Sequence, residues 1–379
     1  MTEIYLDNAA TTKVTVDVLS EYLIVSEQVY GNPSSLHRKG MAAEKVIKAT
    51  REVAADVLNV NREDIYFTSG GTESNNLAIM GYLSLNKRKG NHIISSTVEH
   101  ASVYECFKKL GNMGYYVDYI KPDKNGTISP EAVASKITED TAFISIGHIN
   151  SDVGVIQDIE NISRVAKKTR SEVAFHSDGV QAFGKININL ANSSIDMYSF
   201  SGHKINAPKG VGGIYIKKGI SVEPILYGGG QEKKLRSGTE NVPAIASLRI
   251  AIENVISSIK DNYNYVSMIN KRFRELVKEK HINCVTISNE EICSPYIVTL
   301  AFPGFRSEVI LHHLESEGVF VSSGSACSSK DSKASRAIVS MGYDSNIADS
   351  VIRFSFSTQN TVEEIELTVD ILNKVLRSI

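Results

Sequence analysis

Short β-rich runs alternate with helical stretches from about Tyr30 to about Leu248, and this alternation constrains the fold more than any other feature. The β-rich runs are residues 65–68, 92–95, 142–146, 173–176, 197–200 and 213–216, and helical patterns at 73–84, 102–110 and 159–168 separate several of them. Strands that alternate with helices indicate a mostly parallel sheet covered on both faces. Ligands of such sheets bind beyond the carboxyl ends of the strands. We therefore predict an α/β fold with its functional site at that edge.

Two of the apolar runs end in reactive side chains. The run Phe175-His176-Ser177 leads to the carboxylate of Asp178, and the run ending in Phe200 leads through Ser201 to His203 and Lys204. Enzymes that use pyridoxal phosphate (PLP) need such a pair, because an amine holds the aldehyde as a Schiff base while a carboxylate keeps the pyridine nitrogen protonated. Either residue alone is more often an ordinary surface residue, so the interpretation depends on further groups that fit the same cofactor.

Several other strand ends fit a flat, phosphorylated ligand. Glycines and a hydroxyl in residues 68–73 would cradle a phosphate at a helix start through Gly71 and Thr72, although a simple capped turn has the same pattern. His100 follows the next run and would stack on a ring and exchange protons. Gln181 lies three residues after Asp178 and would contact a ring hydroxyl.

Arg353 and Cys327 are the two remaining candidates. Arg353 lies in the apolar run 351–356, where a charge needs a partner, and either a substrate carboxylate or a structural salt bridge would supply one. Cys327 lies in the polar Ser/Gly-rich segment 322–332, where an accessible thiol is either a nucleophile or an incidental surface residue. Cys106, Cys284 and Cys293 have apolar or helical surroundings and are predicted to be buried.

Composition excludes several function classes. The chain has 379 residues, 42% of them hydrophobic and 22% charged, with a formal net charge of −2. It contains no basic stripe for nucleic acid and no apolar run close to the roughly 20 residues of a membrane span. The four cysteines form no Cys-x-x-Cys pair, so we expect no metal site. The amino terminus has no signal-peptide pattern, and we expect a cytoplasmic protein.

The chain is long enough for two domains. The predicted large domain spans residues 15–250 and binds the cofactor. A second, smaller α/β unit is predicted from residues 1–14 and 251–379, with strands at 296–302, 319–322 and 351–355 and helices at 308–317 and at the end of the chain. The final helix begins with Thr361-Val362-Glu363-Glu364, which predicts a capping box.

Read together, these motifs resemble cysteine desulfurases of the NifS/IscS type, PLP enzymes of aminotransferase class V and fold type I. The resemblance covers nearly the whole chain and includes residues 5–12, 30–37, 68–74, 99–100, 201–204, 208–210, 228–232, 236–241 and 322–327. This many ordered matches is far more specific than any single motif.

The resemblance implies a role for each candidate residue. Lys204 would bind the cofactor aldehyde, Asp178 would face its ring nitrogen, His100 would stack on the ring, and Cys327 would receive the sulfur. The other implied cofactor contacts are Gly71, Thr72, Asn150, Gln181, Ser201, His203 and Thr239, and the implied substrate contacts are Asn8 and Arg353. Thr239 would reach the phosphate of a partner subunit, which implies a homodimer.

The implied reaction converts L-cysteine to L-alanine and leaves a persulfide on Cys327 for a protein sulfur acceptor in iron–sulfur cluster assembly or in tRNA or cofactor thiolation. A selenocysteine lyase or another class V PLP enzyme, and a weakly active regulatory or binding relative, are the alternatives. The chain departs from the family pattern at Ser151, Gly179, residues 205–207, Ala334 and Thr358.

Overall fold

The strands of the chain form three sheets in the computed structural model, which describes residues 3–323 and 335–379. In chain order the strands are β1 (Ile4–Tyr5), β2 (Ile65–Thr68), β3 (His92–Ser96), β4 (Tyr116–Ile120), β5 (Thr141–Ser145), β6 (Ala174–Asp178), β7 (Met197–Ser201), β8 (Gly212–Ile216), β9 (Val285–Thr286), β10 (Ile297–Ala301), β11 (Val319–Phe320), β12 (Ser322–Ser323) and β13 (Val351–Ser355). The largest sheet has the order β2-β8-β7-β6-β5-β3-β4. Only β8 in this sheet is antiparallel to its neighbours. The predicted α/β fold with a mostly parallel sheet is confirmed.

The helices follow the strands as the alternating pattern predicts. They are α1 (Val16–Gln28), α2 (Arg38–Leu58), α3 (Gly71–Asn76), α4 (Tyr82–Leu85), α5 (Ala101–Asn112), α6 (Pro130–Lys136), α7 (Ile159–Thr169), α8 (Val242–Ile256), α9 (Ile259–Glu279), α10 (Ser307–Ser316), α11 (Arg336–Ser340), α12 (Ser345–Ala348) and α13 (Val362–Ser378). A π-helical turn, Leu77–Gly81, joins α3 to α4, so the helix predicted at 73–84 starts two residues earlier, at Gly71. Glycine therefore occupies the first helical turn, where backbone amides are not used within the helix.

Alternate residues of the central strands belong to two different hydrophobic cores. Phe175 and Tyr198 pack on one face of the sheet against α2, α7 and α8. Their chain neighbours Ala174 and Met197 pack on the other face against α4 and α5. This is the two-residue period of a strand covered on both sides. Because both faces are covered, only the ends of these strands are left to form a site.

The rest of the chain builds a smaller layer with its own core. Strands β12, β13, β10 and β9 form an antiparallel sheet, and β1 pairs in parallel with β11. Helices α9, α10 and α13 pack on this layer together with Ile4 and Leu6. The predicted strand 319–322 is wrong as one element, because β11 and β12 belong to different sheets. The capping box at Thr361 and Glu364 is confirmed.

No single helix in the described part of the chain is long and apolar enough to cross a membrane. Helices α8 and α9 meet the length and composition criteria only as a pair that is bent by 71°.

Gly179 follows Asp178 at the end of β6 and is packed against a tyrosine of the next strand. A Cβ atom at this position would lie 2.0 Å from the ring of Tyr198 in β7. The Tyr198 hydroxyl is itself hydrogen bonded to Nδ1 of His148 at 2.8 Å, and both side chains are buried. The tyrosine therefore cannot move aside without breaking a buried hydrogen bond.

We predict that Gly179→Ala destabilises the protein by about 1–3 kcal/mol, because overpacking forces neighbouring side chains out of their rotamers. The penalty should shrink in a Tyr198→Leu background, where the ring is absent. Urea unfolding of the four proteins of this double-mutant cycle measures the coupling. Gly111→Ala is the control, because its Cβ would meet nothing closer than 3.5 Å. An equal penalty with and without the Tyr198 ring would contradict the packing explanation.

Candidate active site

A cavity of about 720 Å³ opens at the carboxyl ends of the central strands. It is lined by ten of the residues selected from the sequence: Gly71, Thr72, His100, Asn150, Asp178, Gln181, Ser201, His203, Lys204 and Arg353. Asn8 and Thr239 are outside its wall, and Cys327 lies outside the described residues. The cavity volume falls within the range of small-molecule sites.

Lys204 reaches the cavity from a short 3-10 turn, Gly202–Lys204, that directly follows β7. Its Nζ donates hydrogen bonds to the carbonyl oxygens of Ala9 at 2.5 Å and Ala10 at 2.7 Å. The amino-terminal segment thus holds the lysine at the cavity wall through main-chain groups.

Asp178 is the last residue of β6, not the first residue beyond it, and it is 8% exposed. Its Oδ1 accepts from the backbone N–H of Val180 at 3.0 Å, and its Oδ2 accepts from Nδ2 of Asn75 at 2.7 Å. Each oxygen of the carboxyl group thus has an N–H donor. Asn75 was missed by the sequence analysis, although it lies one helical turn after Gly71 and lines the same cavity.

The start of α3 provides the features of an anion site. A Cβ on Gly71 would lie 2.5 Å from the Val180 side chain, so any larger residue here would force that side chain to shift. Ser201 faces this turn, and its buried Oγ has no hydrogen-bond partner within the described part of the chain. A buried hydroxyl without a partner is costly unless a ligand satisfies it. Together with the free amides of the helix start, Ser201 fits a bound phosphate.

His100 is the N-cap residue of α5, and its ring contacts Ser102, the second residue of that helix. Nδ1 accepts from the backbone N–H of Ser102 at 3.2 Å and lies 2.8 Å from the Ser102 Oγ. The preceding Glu99 is buried, which raises the pKa of its carboxyl group to about 7. Glu99 also lines the cavity and is a second residue that the sequence analysis missed.

Gln181 is held at both ends of its amide. Its Nε2 donates to the carbonyl of Ala9 at 2.8 Å, and its Oε1 accepts from Nζ of Lys185 at 3.1 Å. Lys185 was not selected from the sequence. Burial, with the nearby positive charges of Lys204 and Arg353, lowers the pKa of its amine to about 7.

The sequence analysis left two partners open for Arg353, a substrate carboxylate or a structural salt bridge. The structure contains the salt bridge, and Arg353 also lines the cavity. Its guanidinium pairs with Asp7 at 2.9 Å and donates to the carbonyl of Ser151 at 3.0 Å. Its buried Nε has no hydrogen-bond partner among the described residues. The neighbouring Asn150 uses its amide locally, donating to Val98 O and accepting from the backbone of residues 152 and 153.

Two predicted contacts lie away from the cavity. Asn8 is buried, and its amide nitrogen is directed to the carbonyls of Tyr5 and Ser355 and to Asn360, so it is not part of the cavity wall. Thr239 is exposed on a segment that is tied to α3 by the ion pair of Arg236 with Glu73 at 2.9 Å. The positive charge of Arg236 is therefore already neutralised by Glu73.

The three described cysteines are poor nucleophiles. Cys106 and Cys293 are buried, as predicted, whereas Cys284 is only half-buried. Burial raises the pKa of the Cys106 thiol to about 11 and that of the Cys293 thiol to about 12, and it also raises the pKa of the Cys284 thiol. The thiolate is the attacking form of cysteine, so a raised pKa lowers the nucleophilicity of these three side chains near neutral pH.

His203 on the cavity wall and the buried His148 and His176 all have lowered pKa values. Burial and the neighbouring charge of Lys204 lower the pKa of His203 to about 4. Burial lowers the pKa of His148 to about 4. Burial also lowers the pKa of His176, in the middle of β6, to about 4. The described residues contain no group of three or more His, Cys, Asp or Glu placed to hold a metal ion.

Comparisons with known proteins agree with this architecture. The family model described as aminotransferase class V matches residues 4–368. The cysteine desulfurase IscS of Buchnera aphidicola is 39% identical over 379 residues, covering 98% of this chain and 92% of the relative. A solved NifS-like protein superposes with a TM-score of 0.94 at 33% identity and full coverage of both chains. A structure of SspA in complex with cysteine has a TM-score of 0.84 at 30% identity, covering 95% of this chain and 100% of the other.

Fold and cavity together define an α/β enzyme with its site at the carboxyl ends of a mostly parallel sheet. The chain belongs to the class V aminotransferase family, among the cysteine desulfurases of the NifS/IscS type. Enzymes of this family depend on PLP.

The buried neutral histidines predict acid sensitivity. In the unfolded chain His148, His176 and His203 bind protons near pH 6.5, whereas in the folded chain they do so only near pH 4. Stability should therefore fall as the pH is lowered through this window. The raised pKa of the Glu99 carboxyl group makes it add stability as the pH falls below 7, but it is one group against three histidines. Urea unfolding at pH values between 7 and 4 measures the slope.

His176→Asn should flatten that slope by up to about 1.4 kcal/mol per pH unit, the value of one proton. His176 suits this test because its ring is fully buried between Ser145 and Ser199. His312→Gln, on an exposed helix surface, is the control and should leave the slope unchanged. A slope unaltered by His176→Asn would mean that other groups cause the acid sensitivity.

Proposed function

We propose that this chain is a PLP-dependent L-cysteine desulfurase that forms a persulfide on Cys327 and passes the sulfur to a protein acceptor. The observation that supports it most is the cavity where Lys204 and Asp178 meet the glycine-rich start of α3. A lysine amine, a buried carboxylate and an anion site within one cavity are the three groups that PLP requires.

Two features of the cavity fit this cofactor independently of the family resemblance. Ser201 has a buried hydroxyl without a partner among the described residues, and Gly71 leaves the helix start open to a phosphate. With them, Thr72 and His203 would hold the phosphate, and Gln181 would contact the ring hydroxyl. Lys204 would bind the aldehyde, and Asp178 would keep the proton on the ring nitrogen. Bound PLP supplies an electron sink that weakens the bonds to Cα of an amino acid.

The protein's own groups would then orient the substrate and move its protons. Arg353 would bind the carboxylate of L-cysteine, using the buried Nε that has no partner within the described residues. Lys204 would remove the Cα proton and return it to carbon. His100, at the cavity wall, would hold a proton near the substrate sulfur.

In the sulfur-transfer step, the Cys327 thiolate would attack the sulfur atom of L-cysteine. An S–S bond forms while the substrate C–S bond breaks, and the carbon keeps the electron pair and takes up a proton. The products are a persulfide on Cys327 and L-alanine. The acceptor would be a scaffold of iron–sulfur cluster assembly or an enzyme of tRNA or cofactor thiolation.

Cys327→Ser should abolish alanine formation from L-cysteine while leaving PLP binding intact, because Lys204 and Asp178 are unchanged. The loss should be at least about a hundredfold, since a nucleophile is removed. Alanine production and the mass of the cysteine-treated protein are the two measurements. Wild-type protein should gain one sulfur atom on the peptide that contains Cys327.

Cys284→Ser is the matched control, because its half-buried thiol lies in the smaller layer outside the cavity. It should retain normal turnover. A Cys327→Ser protein with normal activity would replace the desulfurase proposal with a selenocysteine lyase or another class V activity. Sulfur found on Cys106, Cys284 or Cys293 would overturn the assignment of Cys327.

We further propose that two copies of the chain form the active dimer and that Thr239 contacts the phosphate in its partner's cavity. Thr239 is exposed and is absent from the wall of its own cavity. Large apolar side chains are also exposed, including Leu36 at 96%, Val16 at 83% and Tyr227 at 75%. A second copy would remove such surface from water.

Thr239→Val should weaken PLP binding without changing the dimer, because it removes one hydroxyl donor and keeps the side-chain volume. Thr286→Val, on an exposed strand of the smaller layer, is the control. Sedimentation gives the mass in solution, and spectroscopic titration gives the affinity for PLP. A fully active monomer, or unchanged PLP affinity in Thr239→Val, would contradict this proposal.

A further inference from the structure

A buried chain of hydrogen bonds connects Asp178 with His100 through two residues that have no assigned role. Asn75 in α3 is 1% exposed and Ser102 in α5 is 9% exposed, and both line the cavity. We propose that Asn75 and Ser102 are positioning residues that together orient the Asp178 carboxylate and fix the tautomer of the His100 imidazole, with its proton on Nε2. The proposal deepens the proposed function, because it concerns the two groups that would contact PLP.

The Asn75 amide sets the direction of this chain. Its Nδ2 donates to Oδ2 of Asp178 at 2.7 Å and to Oγ of Ser102 at 2.8 Å, which uses both of its protons. The opposite orientation of the amide would place its carbonyl oxygen against the Asp178 carboxylate. Since a carboxylate only accepts hydrogen bonds, the N–H donors of the amide and the oxygens of Asp178 are complementary.

The position of the His100 proton follows from the two contacts that Ser102 makes. The backbone N–H of Ser102 donates to Nδ1 of His100, so that nitrogen has a lone pair and no proton. Because Nδ1 has no proton to donate, its 2.8 Å contact with the Ser102 Oγ requires the hydroxyl to donate, while the same Oγ accepts from Asn75. A neutral imidazole with an unprotonated Nδ1 carries its proton on Nε2.

This arrangement limits what His100 can do in the cavity. Proton uptake on Nδ1 would break the hydrogen bond from the Ser102 backbone N–H and would require the Ser102 hydroxyl to turn and accept, so the arrangement favours the tautomer with the proton on Nε2. At the other end of the chain, the Asp178 carboxylate is oriented by the Asn75 amide. Asn75 and Ser102 thus position two catalytic residues through hydrogen bonds.

Nuclear magnetic resonance of the histidine rings tests the proposal on the full-length, cofactor-free protein. Long-range proton–nitrogen correlations of ring-labelled histidine distinguish the two tautomers, and a His100→Gln variant identifies the signal. Wild-type His100 should be a single neutral form with Nε2 protonated. In Ser102→Ala, which loses the hydroxyl donor, the fraction protonated on Nδ1 should rise by roughly fivefold, as expected for one lost hydrogen bond.

Ser247→Ala is the matched control. Ser247 is fully buried in α8, and its hydroxyl donates to carbonyls of its own helix. Its removal should leave the His100 signal unchanged. Asn75→Leu should also raise the Nδ1-protonated fraction, because Ser102 is then free to turn its hydroxyl. A thermal melt of each variant measures any purely structural loss, which would lower stability without changing the tautomer.

Either of two results would overturn the proposal: a wild-type His100 protonated on Nδ1, or a His100 tautomer unchanged in both Ser102→Ala and Asn75→Leu. These results do not depend on desulfurase activity. If Cys327 proved dispensable but the tautomer shifted as described, the proposed function would fail while this assignment stood. If alanine formation were confirmed and the tautomer did not respond, only this assignment would fail.

Discussion

The register between β6 and β7 is the constraint on which the rest of the site depends. These parallel strands pair Asp178 with Ser199, so both strands end at the same edge of the sheet. Ser201 closes β7, and the short turn after it brings Lys204 back over that edge. A slip of one residue would exchange the two faces of each strand and direct the carboxylate into a hydrophobic core. Buried apolar residues on both faces thus fix where the chemistry lies.

The amino-terminal segment joins the two layers of the molecule at the cavity. Its β1 strand pairs with β11 in the smaller layer, and a few residues later the carbonyl of Ala9 accepts from both Lys204 and Gln181. Asp7 pairs with Arg353 from the smaller sheet. Main-chain carbonyls orient the lysine without neutralising it, because they carry no net charge. The assignment of residues 1–14 to the smaller domain stays a prediction, and these contacts are consistent with it.

The cavity wall carries charges of both signs: the cationic side chains are Lys204, Lys209 and Arg353, and the acidic side chains are Asp7, Glu73, Glu99 and Asp178. Burial lowers the pKa of the His203 imidazole on this wall and that of the Lys185 amine, which bonds to Gln181 from outside the wall. The three cationic side chains attract a ligand that carries negative charge, as a phosphate and a carboxylate do. The buried Ser201 hydroxyl and the Nε of Arg353, which lack partners among the described residues, mark two separate positions for those anions.

The amino-acid sequence by itself determined the fold class, the positions of most strands and helices, and the identity of Asp178, His100 and Lys204 as residues at one edge of the sheet. These follow from periodicity and from the rule that parallel strands end together, both of which are local in the chain. Only the tertiary structure decided which groups share hydrogen bonds. Asn75 meets Asp178 across 103 residues, and Asn8 turns away from the cavity toward Ser355. Contacts of this kind depend on how helices and sheets pack, and the packing of separate elements leaves no periodic pattern in the sequence.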